Sequence, residues 1–162
     1  MDIFDEELLS FWRHLNNASV KFIMVGGVAT NLHGYNRSTD DIDVWIDDTI
    51  ENRKNFRKGF LEYSGMDIFM MERMQIIPGW TYFNLNNGVR LDLMVGMKGL
   101  EGIAYEECYV KASIADIDDI KVPFLHINHL LANKKAVARP KDLLDVIELE
   151  KIKKYLDEQS GK

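Results

Sequence analysis

Two patterns of apolar residues run along the chain, and each predicts a different kind of element. Stretches in which apolar residues recur every three or four positions predict helices with one buried face. The predicted helices cover residues 5–19, 49–63, 128–138 and 140–156. In the second helix, we expect the buried side chains to be Ile50, Phe56, Phe60 and Leu61. Pro140 separates the last two helices, because proline suits the first turn of a helix.

Short apolar runs between these helices predict the strands of a sheet. The predicted strands cover residues 20–25, 41–46, 80–85, 89–95 and 119–127. Asn86, Asn87 and Gly88 lie between two of them, and Asn-Gly in that place is a strong hairpin signal. Strands and helices that alternate around one hairpin predict an α+β (α/β-like) fold, with a mixed central β-sheet flanked by helices and with helices at the C-terminal end.

The length of 162 residues predicts one domain over residues 1–162. We place its core in residues 20–127 and a C-terminal helical segment in residues 128–158. The single cysteine, Cys108, excludes an intramolecular disulfide and favours a reducing setting. The acidic start MDIFDEELLSFW predicts no signal peptide, and no apolar run approaches a membrane span of about 20 residues. The expected location is cytoplasmic, with no membrane partner.

The formal net charge of -6 bears on the expected partners. Tight, sequence-independent binding of nucleic acid requires a basic face, so this charge argues against a nucleic-acid partner. A local basic patch remains compatible with the same net charge.

Gly26 and Gly27 follow the first predicted strand, and a short helix is expected from there to about Gly34. Glycines let a backbone approach a ligand closely, and the start of a helix offers free N–H groups, so this turn suits a phosphate. The alternative is an ordinary tight turn without a ligand.

Asp41 and Asp43 lie two residues apart on a predicted strand, so both side chains point to one face. Ile42, Val44 and Ile46 take the opposite face and pack. Two carboxylates at this spacing repel each other, which suggests a ligand that neutralises them. The alternative is solubilising charge on an exposed edge strand.

Asp92 interrupts the otherwise apolar run VRLDLMV. A bare buried carboxylate is costly, so Asp92 must be solvated, coordinated or paired, with Arg90 as the nearest candidate partner. Three carboxylates from two strands beside a phosphate-binding turn suit two Mg²⁺ ions, since magnesium prefers carboxylate and phosphate oxygens.

These residues together resemble a known family, over residues 20–95. The combination resembles the nucleotidyltransferase fold of the DNA polymerase β superfamily, and it consists of Gly26, Gly27, Arg37, Thr39, Asp41, Asp43 and Asp92. The form GG…RSTDDIDV is similar to small bacterial members: lincosamide-type antibiotic nucleotidyltransferases, minimal nucleotidyltransferases and abortive-infection toxins. The later stretch KKAVARPKDLLDV resembles the helical segment that follows the core in several of these groups.

The resemblance implies roles for the matching positions. Asp41, Asp43 and Asp92 would bind the metals, and Asp92 could also take the acceptor proton. Gly26 and Gly27 would hold the triphosphate, and Arg37 and Thr39 would support the phosphates or orient the aspartate strand. The candidates for contacts with the triphosphate or the acceptor are Lys134, Arg139 and Lys141. For Lys141 the alternative is a solvated helix surface, and for Asp142 and Asp145 we expect pairing or capping instead of catalysis.

The expected activity is a Mg²⁺-dependent nucleotidyltransferase that moves NMP from an NTP to a hydroxyl group and releases pyrophosphate. The acceptor would belong to a small molecule or a protein. Two alternatives stay open: the toxin of a toxin–antitoxin pair with the same chemistry, and a nucleotide-binding module without catalysis. A homodimer is a further expectation, because the short chain leaves few residues for recognition of an acceptor.

Overall fold

Residues 5–161 are described by the computed structural model, and six α-helices and six strands lie within them. The helices are α1 (Glu6–Asn17), α2 (Gly26–Leu32), α3 (Ile50–Ser64), α4 (Tyr105–Lys111), α5 (Ile127–Val137) and α6 (Pro140–Gln159). The strands are β1 (Phe22–Val25), β2 (Asp41–Ile46), β3 (Tyr82–Asn84), β4 (Arg90–Met94), β5 (Ser113–Ile117) and β6 (Ile120–Phe124). A 3₁₀ helix covers Phe69–Glu72. Within this range, no helix combines the length and the apolar character needed to cross a bilayer.

The strands form one mixed sheet in the order β3-β4-β2-β1-β6-β5. β1 runs antiparallel to β2 and parallel to β6, while β2 runs parallel to β4. Each edge is a hairpin, because β3 pairs antiparallel with β4 and β5 pairs antiparallel with β6. The structure therefore confirms the predicted α+β fold with a mixed sheet flanked by helices, and also the predicted hairpin at Asn86–Gly88.

Local sequence signals set the ends of the helices. The carboxylate of Asp5 caps α1, since it accepts hydrogen bonds from two backbone N–H groups of the first turn. The hydroxyl of Thr49 caps α3 in the same way, and Gly65 ends that helix with a left-handed φ of 74°. Pro140 begins α6 at the position that tolerates a missing N–H. These signals define where the helices begin and end, and the two side-chain caps supply hydrogen-bond acceptors for free backbone N–H groups at the helix starts.

The core lies where α1 and α3 cover one face of the sheet. Trp12 of α1 stacks on Phe22 of β1 with ring centroids 5.3 Å apart. Phe56 and Phe60 of α3 pack against Phe83 of β3, with centroids 6.2 and 5.2 Å away. Phe83 and its cross-strand partner Leu91 point to this covered face. Because side chains alternate between the two faces of a strand, the residues on either side of them point to the other face. That other face carries the polar residues of β2, β3 and β4.

Two expected core residues of α3 turn out to be exposed. Ile50 is 60% exposed and Leu61 is 40% exposed, whereas Phe56 and Phe60 are buried as predicted. The buried face is set by the contact with α1, where a Cβ on Gly59 would lie 3.0 Å from the backbone oxygen of His14. This close approach rotates the helix so that Ile50 and Leu61 face away from the core.

Strand β5 was not predicted, because its sequence carries little strand signal. In Ser113–Ile117 only Ile117 is buried, so the strand lacks the apolar run that reveals the inner strands. β5 is an edge strand, and its pairing with β6 across a two-residue turn at Asp118 and Asp119 defines it. Both turn residues have positive φ, which Asp tolerates better than most residues.

Candidate functional site

Three aspartates from two neighbouring parallel strands meet on the open face of the sheet. In the strand register, Asp43 of β2 lies opposite Asp92 of β4, and Asp41 lies opposite Arg90. Paired residues point to the same face, so the three carboxylates project together. One carboxylate oxygen from each of Asp41, Asp43 and Asp92 lies within 4.8 Å of the others. The structure thus places all three predicted acidic residues in one cluster.

The cluster is electrostatically strained in the absence of a cation. Burial, together with the charges of Asp41 and Asp92, raises the pKa of Asp43 to about 6. The positive charges of Lys134 and Lys141 oppose this shift without cancelling it. A carboxyl group of this kind resists ionisation until a positive charge comes close.

The carboxylate of Asp92 is paired with Arg90, the partner considered from the sequence. Nε of Arg90 donates to Oδ2 of Asp92 at 2.8 Å, and Nη2 donates to Oδ1 at 2.6 Å. Asp92 is only 6% exposed, so this pairing meets the requirement that a buried carboxylate be compensated. Asp92 is therefore both a member of the acidic cluster and one half of an ion pair.

Gly26 and Gly27 pack against the residues that carry and orient the carboxylates. α2 starts at Gly26, whose φ is +63°, and a Cβ there would lie 1.9 Å from Oδ2 of Asp43. A Cβ on Gly27 would lie 2.5 Å from Oγ1 of Thr39. Both positions require glycine for close approach, and Gly26 also lines the cavity above the aspartates. A role of either glycine in holding phosphate stays a prediction.

Thr39 and Arg37 make hydrogen bonds to aspartates in and around the site. The hydroxyl of Thr39 donates to Oδ1 of Asp41 at 3.2 Å, which fits the predicted role of orienting the aspartate strand. Nε and Nη2 of Arg37 donate to the two oxygens of Asp145 in α6, at 2.7 and 3.1 Å. In this structure Arg37 thus ties the segment before β2 to the last helix.

Lys134 and Arg139 belong to the same group of paired charges, here called the α5–α6 ion network, in which Lys134 is buried and the side chain of Arg139 is 57% exposed. Nζ of Lys134 contacts Oδ2 of Asp145 at 2.7 Å and Oδ1 of Asp142 at 3.2 Å. Nε of Arg139 donates to Oδ2 of Asp142 at 2.6 Å. Asp142 and Asp145 are fully buried and pair or cap, as the sequence predicted. Although burial opposes ionisation, the hydrogen bond from Arg139 and the charge of Lys134 lower the pKa of Asp142.

A cavity of about 580 Å³ opens over the three aspartates. Lys134 and Arg139 line it, so two of the predicted cations lie beside the carboxylates, whereas Lys141 is exposed on α6. The cavity is also lined by residues that the sequence did not single out for a role: Pro78, Gly79, Lys98 and Asn133. They come from the loops around β3, from the loop after β4 and from α5, so only the fold brings them to the site.

Solved structures of other proteins share this arrangement of elements. A Thermotoga maritima protein proposed to be a nucleotidyltransferase is 19% identical, with a TM-score of 0.54 over 93% of this chain and 91% of that one. An antigenic nucleotidyltransferase-like protein from Paracoccidioides brasiliensis is 18% identical, with a TM-score of 0.53 over 88% of this chain and 72% of that one. No protein-family model matches the chain, and no curated protein matches it at a significant level. The likeness establishes a fold of the nucleotidyltransferase type.

The raised pKa of Asp43 predicts that Asp43→Asn stabilises the metal-free protein at neutral pH, by about 1–2 kcal/mol. The folded-state pKa of about 6 exceeds the ordinary value of 3.8. Ionisation therefore lowers the free energy of unfolding as the pH rises from about 4 to about 6. Denaturant unfolding with a chelator should show a smaller advantage of the variant at about pH 4 than at about pH 7. The exposed neighbour Asp40→Asn is the control, and equal pH dependence of Asp43→Asn and wild type would contradict the prediction.

Gly26→Ala should destabilise the fold by about 1–3 kcal/mol, because a positive φ and a clash with Asp43 act together. The control is Gly96→Ala, since a Cβ at Gly96 in the same cavity wall meets no atom within 4 Å. Thermal unfolding of the two variants measures the difference. Similar midpoints for both variants would show that the close approach at Gly26 is not required.

Asp145→Asn should destabilise the protein by about 3 kcal/mol, because it removes the buried counter-charge of Arg37 and one of the two that Lys134 contacts. The control is Glu150→Gln, which removes an exposed partner of Lys135 and should change stability little. Denaturant unfolding at neutral pH compares them. A loss for Asp145→Asn no larger than that of the control would mean that the α5–α6 ion network does not hold the last helix.

Proposed function

We propose that the protein is a metal-dependent nucleotidyltransferase that moves an NMP group from an NTP to a hydroxyl group and releases pyrophosphate. The observation that carries the proposal is the cluster of Asp41, Asp43 and Asp92, whose oxygens lie within 4.8 Å of one another under an open cavity. The likeness of the fold to nucleotidyltransferase-type structures supports the same assignment.

The donor set fits magnesium. Three carboxylates supply hard oxygen ligands, and burial together with the charges of Asp41 and Asp92 raises the pKa of Asp43, so a cation bound there would favour its ionised form. We propose that Asp41 and Asp43 hold two Mg²⁺ ions together and that Asp92 holds one of them. When bound, Mg²⁺ supplies Lewis-acid chemistry to phosphate and hydroxyl oxygens, which lowers the pKa of an attacking hydroxyl and offsets charge on pyrophosphate.

We propose that the two substrates approach the cluster from opposite sides along the sheet order. Gly26 lies beside β2 on the β1 side, and Asp92 lies on the β4 side. Displacement at phosphorus proceeds in line, so the attacking oxygen and the leaving pyrophosphate take opposite sides of the α-phosphate. We place the triphosphate near Gly26, with Lys134 and Arg139 as its positive neighbours, and the acceptor hydroxyl near Asp92. The proposed role of Asp92 includes taking the acceptor proton.

We propose that the acceptor is a hydroxyl of a small molecule or of a protein, and that residues 1–162 act as one nucleotidyltransferase domain. A second copy of the chain would extend the acceptor site, since few residues outside the cavity walls remain for recognition. A nucleotide-binding module without catalysis is the second candidate, and the pairing of Arg90 with Asp92 favours it because one metal ligand is already neutralised.

The test uses NTPs labelled on either the α- or the γ-phosphate, with Mg²⁺ and a panel of hydroxyl acceptors. Transfer of the α-label, with pyrophosphate released, is expected for wild type, and Asp43→Asn should lower the rate about a hundredfold or more. Asp40→Asn serves as the matched control and should retain the rate. Transfer of the γ-label would identify a kinase instead.

Binding is measured separately, because the acceptor is not identified. Mg²⁺ with a non-hydrolysable NTP should raise the unfolding temperature of wild type and leave that of Asp43→Asn unchanged. Binding by wild type without any transfer supports the module without catalysis. If wild type and Asp43→Asn respond alike, the acidic cluster is surface charge and the proposal fails.

A further inference from the structure

Arg90 covers the two oxygens that Asp92 would offer to a metal. The guanidinium makes two parallel hydrogen bonds to Asp92, at 2.8 and 2.6 Å, which is the strongest geometry for such a pair. Because Arg90 also lies opposite Asp41 in the strand register, its positive charge lies within the acidic cluster. A metal at Asp92 and the guanidinium of Arg90 therefore compete for the same oxygens.

The other two cations that contact carboxylates at the cavity wall have different partners. Lys134 and Arg139 contact Asp142, and Lys134 also contacts Asp145, so their charges are shared with the α5–α6 ion network. Among residues 5–161, Arg90 is the cation within salt-bridge distance of the acidic cluster. Three carboxylates thus face one directly bound cation, which leaves a net negative charge for a metal to neutralise.

Arg90 makes two further contacts that do not involve Asp92. Its guanidinium carbon lies 4.1 Å from the ring centroid of Tyr82, and Nη2 also donates to the backbone oxygen of Gly79 at 3.3 Å. The Arg90 side chain is 42% exposed, whereas that of Asp92 is 8% exposed. Arg90 is thus the more exposed partner of the pair, and its contacts with Tyr82 and Gly79 do not depend on Asp92.

We propose that Arg90 is an internal counter-ion of the metal centre, which holds Asp92 in the metal-free protein and gives way when a divalent cation binds. The inference rests on the proposed function, since it assumes that the aspartates bind metal. Once displaced, the guanidinium stays on the cavity wall over Tyr82, where it can contact a phosphate oxygen of the nucleotide. Arg90 is thus a positioning residue that sets the threshold for metal binding.

Mn²⁺ without nucleotide is the probe, and its affinity is measured by electron paramagnetic resonance on wild type, Arg90→Ala, Arg90→Lys and Lys98→Ala. Arg90→Ala should lower the dissociation constant about tenfold, because the competing bidentate pair is removed. Arg90→Lys should lower it about threefold, since an ammonium group cannot form that pair. Lys98→Ala removes a charge from the same cavity wall and should change it less than about twofold.

Unfolding temperatures supply the second readout. Arg90→Ala should be less stable than wild type without metal and should gain more from Mn²⁺, because Asp92 is left unpaired until metal arrives. If Arg90→Ala does not fold, Arg90→Lys carries the test. Unchanged or weaker Mn²⁺ binding in folded Arg90 variants would overturn the inference and show that Arg90 supports the metal ligands.

The outcomes also separate this inference from the proposed function. If neither wild type nor any variant binds Mn²⁺, both the proposed metal centre and the proposed role of Arg90 as its counter-ion are ruled out. Tighter Mn²⁺ binding in the Arg90 variants without any NMP transfer by wild type would support the role of Arg90 as counter-ion. The same result would overturn the proposal that the protein is a transferase. If Lys98→Ala changes the Mn²⁺ dissociation constant as much as Arg90→Ala does, the effect comes from the total charge of the cavity wall. That result would overturn the specific role of Arg90.

Discussion

Mutual repulsion among three carboxylates is the constraint around which this protein is arranged. Asp41, Asp43 and Asp92 project from two parallel strands onto one face of the sheet, where one oxygen of each lies within 4.8 Å of the others. The apolar packing of the opposite face supplies the free energy that holds them in place. A fold that keeps such a cluster retains an unfavourable interaction, which a bound cation would convert into a favourable one.

Around this cluster, charges are arranged in two layers with different partners. Arg90 faces the carboxylates directly, whereas Arg37, Lys134 and Arg139 are held by the buried Asp142 and Asp145. The outer layer connects the segment before β2 with α5 and α6, so three distant parts of the chain meet beside the cavity. A buried group of this kind adds less to stability than apolar packing would, but it restricts how its members can be arranged.

Local patterns in the sequence were sufficient to predict the acidic cluster and most of the helices and strands. The spacing of Asp41 and Asp43 defined one face of a strand, and an acid within an apolar run identified Asp92. Partners separated by long stretches of chain were not predictable in this way: Arg37 meets Asp145 across 108 residues. The rotation of α3 also depends on a contact with α1 at Gly59, and β5 depends on its neighbour β6 instead of its own composition.

The parallel pairing of β2 with β4 has a consequence for the order in which the molecule can be completed. During synthesis, the strand with the first two acids emerges well before its neighbour with the third, and the helix that anchors Arg37 emerges last. The nascent chain therefore contains the three aspartates before the last helix is available to pack beside them. Lys134 and Arg139 gain their buried counter-charges only when the C-terminal helix docks, so a protein shortened there would lose the α5–α6 ion network beside the cavity.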